Sequence, residues 1–178
     1  HLDKNIKMIF IANPNNPTGT MVTKKETDEL LAKISDNTIV VFDEAYAEYV
    51  DREDYPDALQ YVREKKNVIV LRTFSKIYGL AGLRIGYAIA NPEIIEVLNK
   101  VRQPFNVNSL AQVAALSALK DVKHIAESIK VNSEGKQYLC NFFKELNIEF
   151  VPTTANFIFV DLKRNAKEIA NRLLQDGI

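Results

Sequence analysis

Apolar positions along the chain come in short, punctuated runs, and their spacing alternates between the strand and the helix period. Met8 to Ala12 is an unbroken apolar run that stops at Asn13-Pro14, as a buried strand entering a turn-rich loop does. Thr23 stands three residues ahead of Glu26, a capping-box spacing that predicts a helix of about three turns through Ile34. Thr38 to Phe42 reads as a second buried strand with Asp43 at its end. Strand, helix and strand in that order predict a parallel pair joined by a right-handed crossover. An acidic and aromatic stretch and a helix near Ala58 to Glu64 lead to a third apolar run, Val68 to Thr73. Ile85 to Ala90 is a fourth. The link between these two carries Gly79 and Gly82 but no helical period, so an antiparallel return is predicted. Asn91-Pro92-Glu93 opens the next helix, through about Val101.

Beyond Ser109 the pattern becomes helical almost without interruption to about Leu146, with Gly135 inside it. Ile148 to Val151 and Asn156 to Leu162 read as short strands around Pro152-Thr153-Thr154, and Ala166 to Gln175 as a closing amphipathic helix. The fold class predicted is α/β, a mostly parallel sheet with helices followed by a smaller α+β portion. The division is placed at residues 1–108 and 109–178, with the long helix as the bridge.

Composition narrows the function classes. The 178 residues are 47% hydrophobic, and 23 basic side chains balance 23 acidic ones. With zero formal net charge, the chain has no global field to draw nucleic acid or an anionic membrane, which points to a small-molecule partner. Cys140 is the single cysteine, so no intrachain disulfide or thiolate zinc site can form and a reducing cytoplasm fits. It sits in an apolar helical pattern with Leu139, Phe142 and Phe143 and is predicted to be a core thiol. His124 and His1 are too few for a metal site, so no metal is expected. The start at His1-Leu2-Asp3 and the stop at Gly177-Ile178 read as cut ends.

In an open α/β sheet, ligands bind at the carboxyl ends of the strands, where Asn16, Asp43 and Lys76 fall in this reading. Each has a plainer role when taken singly. Asn16 suits a turn, Asp43 a helix N-cap, Tyr46 a core position and Lys76 a solvated surface. Thr73 and Ser75 share a face in an extended segment, so both hydroxyls can meet one phosphate, and Arg84 supplies a forked cation. A lysine that bonds an aldehyde cofactor needs such a setting: an acid for the ring nitrogen, hydroxyls, and a cation for the phosphate.

The segments Asn-Pro-Asn-Asn-Pro-Thr-Gly-Thr, Asp-Glu-Ala-Tyr and Arg-Thr-Phe-Ser-Lys-Ile-Tyr-Gly-Leu-Ala-Gly-Leu-Arg-Ile-Gly-Tyr resemble the fold-type-I aminotransferases. Val101-Arg102-Gln103-Pro104-Phe105-Asn106-Val107-Asn108 makes the chain most similar to the histidinol-phosphate aminotransferase branch. The resemblance covers nearly the whole chain but only the second half of such a protein. It implies pyridoxal 5'-phosphate as cofactor and Lys76 as the catalytic lysine bonded to its aldehyde. It further implies Asp43 on the ring nitrogen, Asn16 and Tyr46 on the ring oxygen, and Thr73, Ser75 and Arg84 on the phosphate. Histidinol phosphate and the glutamate/2-oxoglutarate pair are the implied substrates, and a homodimer the implied assembly. Glu44 receives no role. Another aminotransferase or a phosphate-ester decarboxylase of the same fold, or a non-catalytic fragment serving as an interaction module, are the competing readings.

Overall fold

The computed structural model describes residues 5–178, so the opening His1-Leu2-Asp3 lies outside the described residues. Strands β1 (Met8–Ala12), β2 (Ile39–Asp43), β3 (Val68–Thr73) and β4 (Gly86–Ala90) form one sheet in that order. The first three are parallel, and β4 returns antiparallel with Gly86 opposite Thr73. The carboxyl ends of β1, β2 and β3 and the start of β4 therefore lie at one end of the sheet, and that register positions every candidate site residue.

The sheet is held by alternation. Val40, Phe42, Val68 and Val70 project to one face, where Ala58 and Tyr61 of α2 (Ala58–Arg63) meet them, all six at most 3% exposed. Fully burying side chains of this size contributes about 1.5–3 kcal/mol each. Helix α1 (Lys24–Leu31) starts where the capping-box spacing predicts, with the Thr23 side chain and the Glu26 side chain each accepting from the other's backbone N–H. It stops at Leu31 rather than Ile34, because the chain tightens there: Lys33 N and Ile34 N both donate to the Leu30 carbonyl. Tyr61 Oη donates to Asp28 Oδ1 at 2.6 Å and ties α2 to α1.

Helix α3 (Pro92–Val101) carries its proline in the first turn, as predicted. The continuous helix expected from Ser109 to Leu146 is instead two, α4 (Ser109–Ala118) and α5 (Val122–Glu145). The break falls at Asp121, whose carboxylate accepts from His124 N at 3.0 Å and caps a new helix. A side chain that competes with the helical ladder in this way starts a helix more readily than it continues one. Gly135 passes through α5 without effect. Strands β5 (Glu149–Val151) and β6 (Phe159–Asp161) pair antiparallel in a separate two-stranded sheet, and α6 (Ala166–Gln175) comes after them.

Helix α5 joins the two sheets, touching β5 at one side and a 3-10 turn over Ala47–Tyr49 at the other. There a second buried cluster forms from Tyr46, Tyr49, Ile77 and Ala155, flanked by Ile125 and Phe157. Cys140 is half-buried on α5, which corrects its reading as a core thiol. Among the described residues no helix is long and apolar enough to cross a membrane, and no group of three or more His, Cys, Asp or Glu side chains is arranged to hold a metal ion.

Candidate active site

The loop after β1 is built on Asn13, which is fully buried. Its amide group donates to the Val22 carbonyl at 3.0 Å and accepts from Val22 N at 2.9 Å, folding the loop back on itself. Its backbone N donates to the Asp43 carbonyl, and its carbonyl accepts from Tyr55 Oη at 2.6 Å, so the loop is fastened to the end of β2. Gly19 closes the loop at a φ of +73, and a Cβ there would lie 2.0 Å from Thr153 Oγ1, so backbone and space both demand glycine. Thr154 donates to the Gly19 carbonyl through both N and Oγ1, at 2.8 and 3.1 Å. Asn16, exposed at the tip, donates through Nδ2 to Tyr46 Oη at 3.1 Å.

Asp43, exposed at the end of β2, accepts from Ala45 N at 3.2 Å, which bends the chain toward Tyr46. It is not a helix N-cap, because the next element is the 3-10 turn, entered through Tyr46. The Tyr46 ring is 6% exposed, meets Phe157 edge-on at 5.1 Å between centroids, and has Lys76 Nζ at 5.1 Å from its centroid. Each of these contacts brings a polar or apolar edge to a different part of the same ring.

After β3 the chain alternates between anchor and exposed position. Phe74 is buried against Tyr78 and Tyr87, Ile77 is 2% exposed, and Lys76 between them is left in the open. Thr73 Oγ1 accepts from Ser75 N at 3.1 Å, which sets both hydroxyl-bearing residues in one tight turn. Phe74 N donates to the Ile85 carbonyl, bringing the segment before β4 alongside. Arg84 takes a left-handed backbone, φ +54, and its Nη1 donates to the Ala81 carbonyl at 2.6 Å.

Asn16 and Lys76 thus each meet Tyr46, one at its hydroxyl and the other over its ring. Asp43, Thr73, Ser75 and Arg84 are brought to the same sheet end by register. None of Asp43, Lys76 and Arg84 forms an ion pair among the described residues. An amine, a carboxylate and a guanidinium are therefore all available to a ligand. Such a set matches a molecule bearing a carbonyl carbon, a protonatable ring nitrogen and an anionic group.

Beneath the loop lies a network that sequence reasoning missed. Glu44, 1% exposed, accepts from Arg72 at 2.6 and 2.9 Å, and Glu48 lies 3.6 Å from the same guanidinium. Burial pushes both carboxyls above the ordinary glutamate range, with Arg72 opposing it. Burial and the nearby Glu48 charge push the Tyr78 hydroxyl up to about 12. The available signal was a lone arginine inside an otherwise apolar strand, since a charge there requires a partner.

The chain compares closely with known proteins. The family model described as aminotransferase class I and II matches residues 1–178. Histidinol-phosphate aminotransferase from Moorella thermoacetica is 57% identical over 173 residues, covering 97% of this chain and 45% of that protein. Histidinol-phosphate aminotransferase 2 from Hydrogenovibrio crunogenus is 48% identical over 172 residues, covering 97% of this chain and 46% of its own length. The crystal structure of histidinol-phosphate aminotransferase from Sinorhizobium meliloti, in complex with pyridoxal-5'-phosphate, superposes with a TM-score of 0.87 at 31% identity, covering 97% of this chain and 47% of that one. The chain spans about half the length of the curated relatives it matches.

Proposed function

The chain belongs to the class I and II aminotransferase family, and from that premise we propose that it is the Lys76-bearing half of a histidinol-phosphate aminotransferase. The protein would transfer the amino group of histidinol phosphate to 2-oxoglutarate, forming glutamate, in histidine biosynthesis in the cytoplasm. The observation that carries the reading is the convergence, at one sheet end, of three unpaired charged groups on Lys76, Asp43 and Arg84.

The residues present fit pyridoxal 5'-phosphate. Lys76 offers the amine for its aldehyde, Asp43 the carboxylate for its ring nitrogen, and Asn16 and Tyr46 the polar groups for its ring oxygen. Thr73, Ser75 and Arg84 offer the hydroxyls and guanidinium for its phosphate. When bound, the cofactor supplies an electron sink for the substrate's α-carbon. Asp43 holds the proton on the ring nitrogen. Lys76 would move the proton to and from that α-carbon as general base and then acid. Residues 1–108 form part of the cofactor-holding domain in this reading, and residues 109–178 the bridging helices and part of a smaller domain. The remaining groups, and a second subunit of a homodimer, complete the site.

The test is visible absorption of the full-length protein with pyridoxal phosphate, then borohydride reduction and peptide mapping. A label confined to Lys76, with turnover of histidinol phosphate exceeding that of phenylalanine and of threonine phosphate, is the expected result. Label scattered over surface lysines overturns the cofactor assignment, and a preference for phenylalanine or for decarboxylation of threonine phosphate overturns the substrate.

A further inference from the structure

The loop that carries Lys76 is tied down mostly from within. Gly79 N donates to the Lys76 carbonyl and Leu80 N to the Phe74 carbonyl, both at 2.9 Å. One tie comes from far along the chain: His124 Nε2 lies 2.9 Å from the carbonyl oxygen of Ile77, the residue next after Lys76. A carbonyl only accepts, so Nε2 bears the hydrogen and donates it. Ile77 is 2% exposed, and a buried carbonyl left without a donor is costly. Among the described residues, His124 is the donor it has.

The imidazole is launched from a fixed point. His124 sits in the first turn of α5 with its own backbone N held by Asp121 Oδ1 at 3.0 Å, and Ser128 Oγ, one turn on, lies 3.4 Å from Nε2. The neighbouring Ile125 packs against the buried cluster that contains the Ile77 side chain. Helix α5 thus holds Ile77 by its carbonyl and packs against the cluster that includes its side chain.

We propose that His124 is a positioning residue for Lys76: by holding the Ile77 carbonyl it sets the backbone immediately after the lysine, and so the direction in which the amine leaves the loop. It acts through the backbone and not by touching a ligand. The value of this for chemistry rests on the reading of Lys76 as the cofactor lysine; the tie itself does not.

The experiment uses the full-length protein with His124→Phe, which keeps a ring but removes the donor, and His124→Gln, whose amide nitrogen can replace Nε2. Without cofactor, amide hydrogen exchange at Gly79 and Leu80 is expected to quicken about tenfold in His124→Phe and to return near the wild-type rate in His124→Gln. With pyridoxal phosphate, the rate of borohydride-fixed label on Lys76, per folded protein by circular dichroism, is expected to fall several-fold in the first variant and recover in the second. Should His124→Phe fail to fold, His124→Asn, whose amide is too short to reach, takes its place. Unchanged exchange overturns the tie. Faster exchange with an unchanged labelling rate overturns the positioning role. If wild-type protein takes no label on Lys76, the cofactor reading falls and the positioning role with it, while the exchange rates still report on the tie.

Discussion

At the residue scale, Asp43, Lys76 and Arg84 form no ion pair among the described residues, whereas Arg72 is paired with Glu44 and Glu48. Lys76→Ala in the full-length protein should abolish the borohydride-stable label and turnover while leaving the fold, because Lys76 is exposed and lies over the Tyr46 ring at the surface of the site. Asp43→Asn should retain the label yet lower kcat by about two orders of magnitude or more, since the proton on the ring nitrogen loses its counter-charge; near-normal turnover would refute that role. Glu44→Ala leaves Arg72 only its longer contact with Glu48 and should cost about 3 kcal/mol in denaturant unfolding, at the low end for a buried pair because of that second partner and the guanidinium's 22% exposure. The acids also set a pH dependence. Glu44 and Glu48 hold their protons more tightly folded than unfolded, so the stability they contribute is present below the ordinary glutamate range. It is lost as pH rises from there through their raised folded values. Glu48→Gln should therefore narrow the gap in Tm between pH 5 and pH 8, and an unchanged gap would assign the dependence elsewhere.

At the element scale, the strands and most helices were legible because period and capping are local. Met8–Ala12, Val68–Thr73 and Pro92–Val101 match their predicted bounds, and the Thr23–Glu26 box forms as its spacing implies. The α4–α5 break was missed because Asp121 in an otherwise helical pattern reads as one more solvated position until its carboxylate is seen capping His124. Contacts across long separations were illegible for a different reason: nothing local encodes which strand faces Arg72 or which helix reaches Ile77. Thr23→Ala should remove about 1 kcal/mol from stability through the lost cap. Gly19→Ala should remove more, roughly 1–3 kcal/mol, because the added carbon meets Thr153 in a left-handed backbone. Thermal unfolding of the two variants side by side ranks them, and the reverse order would mean the loop yields easily.

At the scale of the whole molecule, the chain spans about half the length of its relatives and exposes several large apolar side chains. Phe10 on β1, Val101 on α3, Phe105 beyond it and Leu110 on α4 are 72%, 75%, 98% and 77% exposed. Large apolar side chains this exposed favour association wherever they cluster. Expressed by itself, the 178-residue chain should bind a hydrophobic dye and self-associate, whereas the full-length protein should do neither to the same degree; equal dye binding would mean that these faces stay open. The junction at Gly19 carries a further consequence, for how the protein is made. The loop bearing Asn16 takes two hydrogen bonds from Thr154, 135 residues later. On a ribosome adding about 5–20 residues per second, roughly 7–27 s separate the two partners. Through that interval the nascent loop carries its polar tip without its latch, so the sheet can assemble well before the mouth of the site takes its final shape.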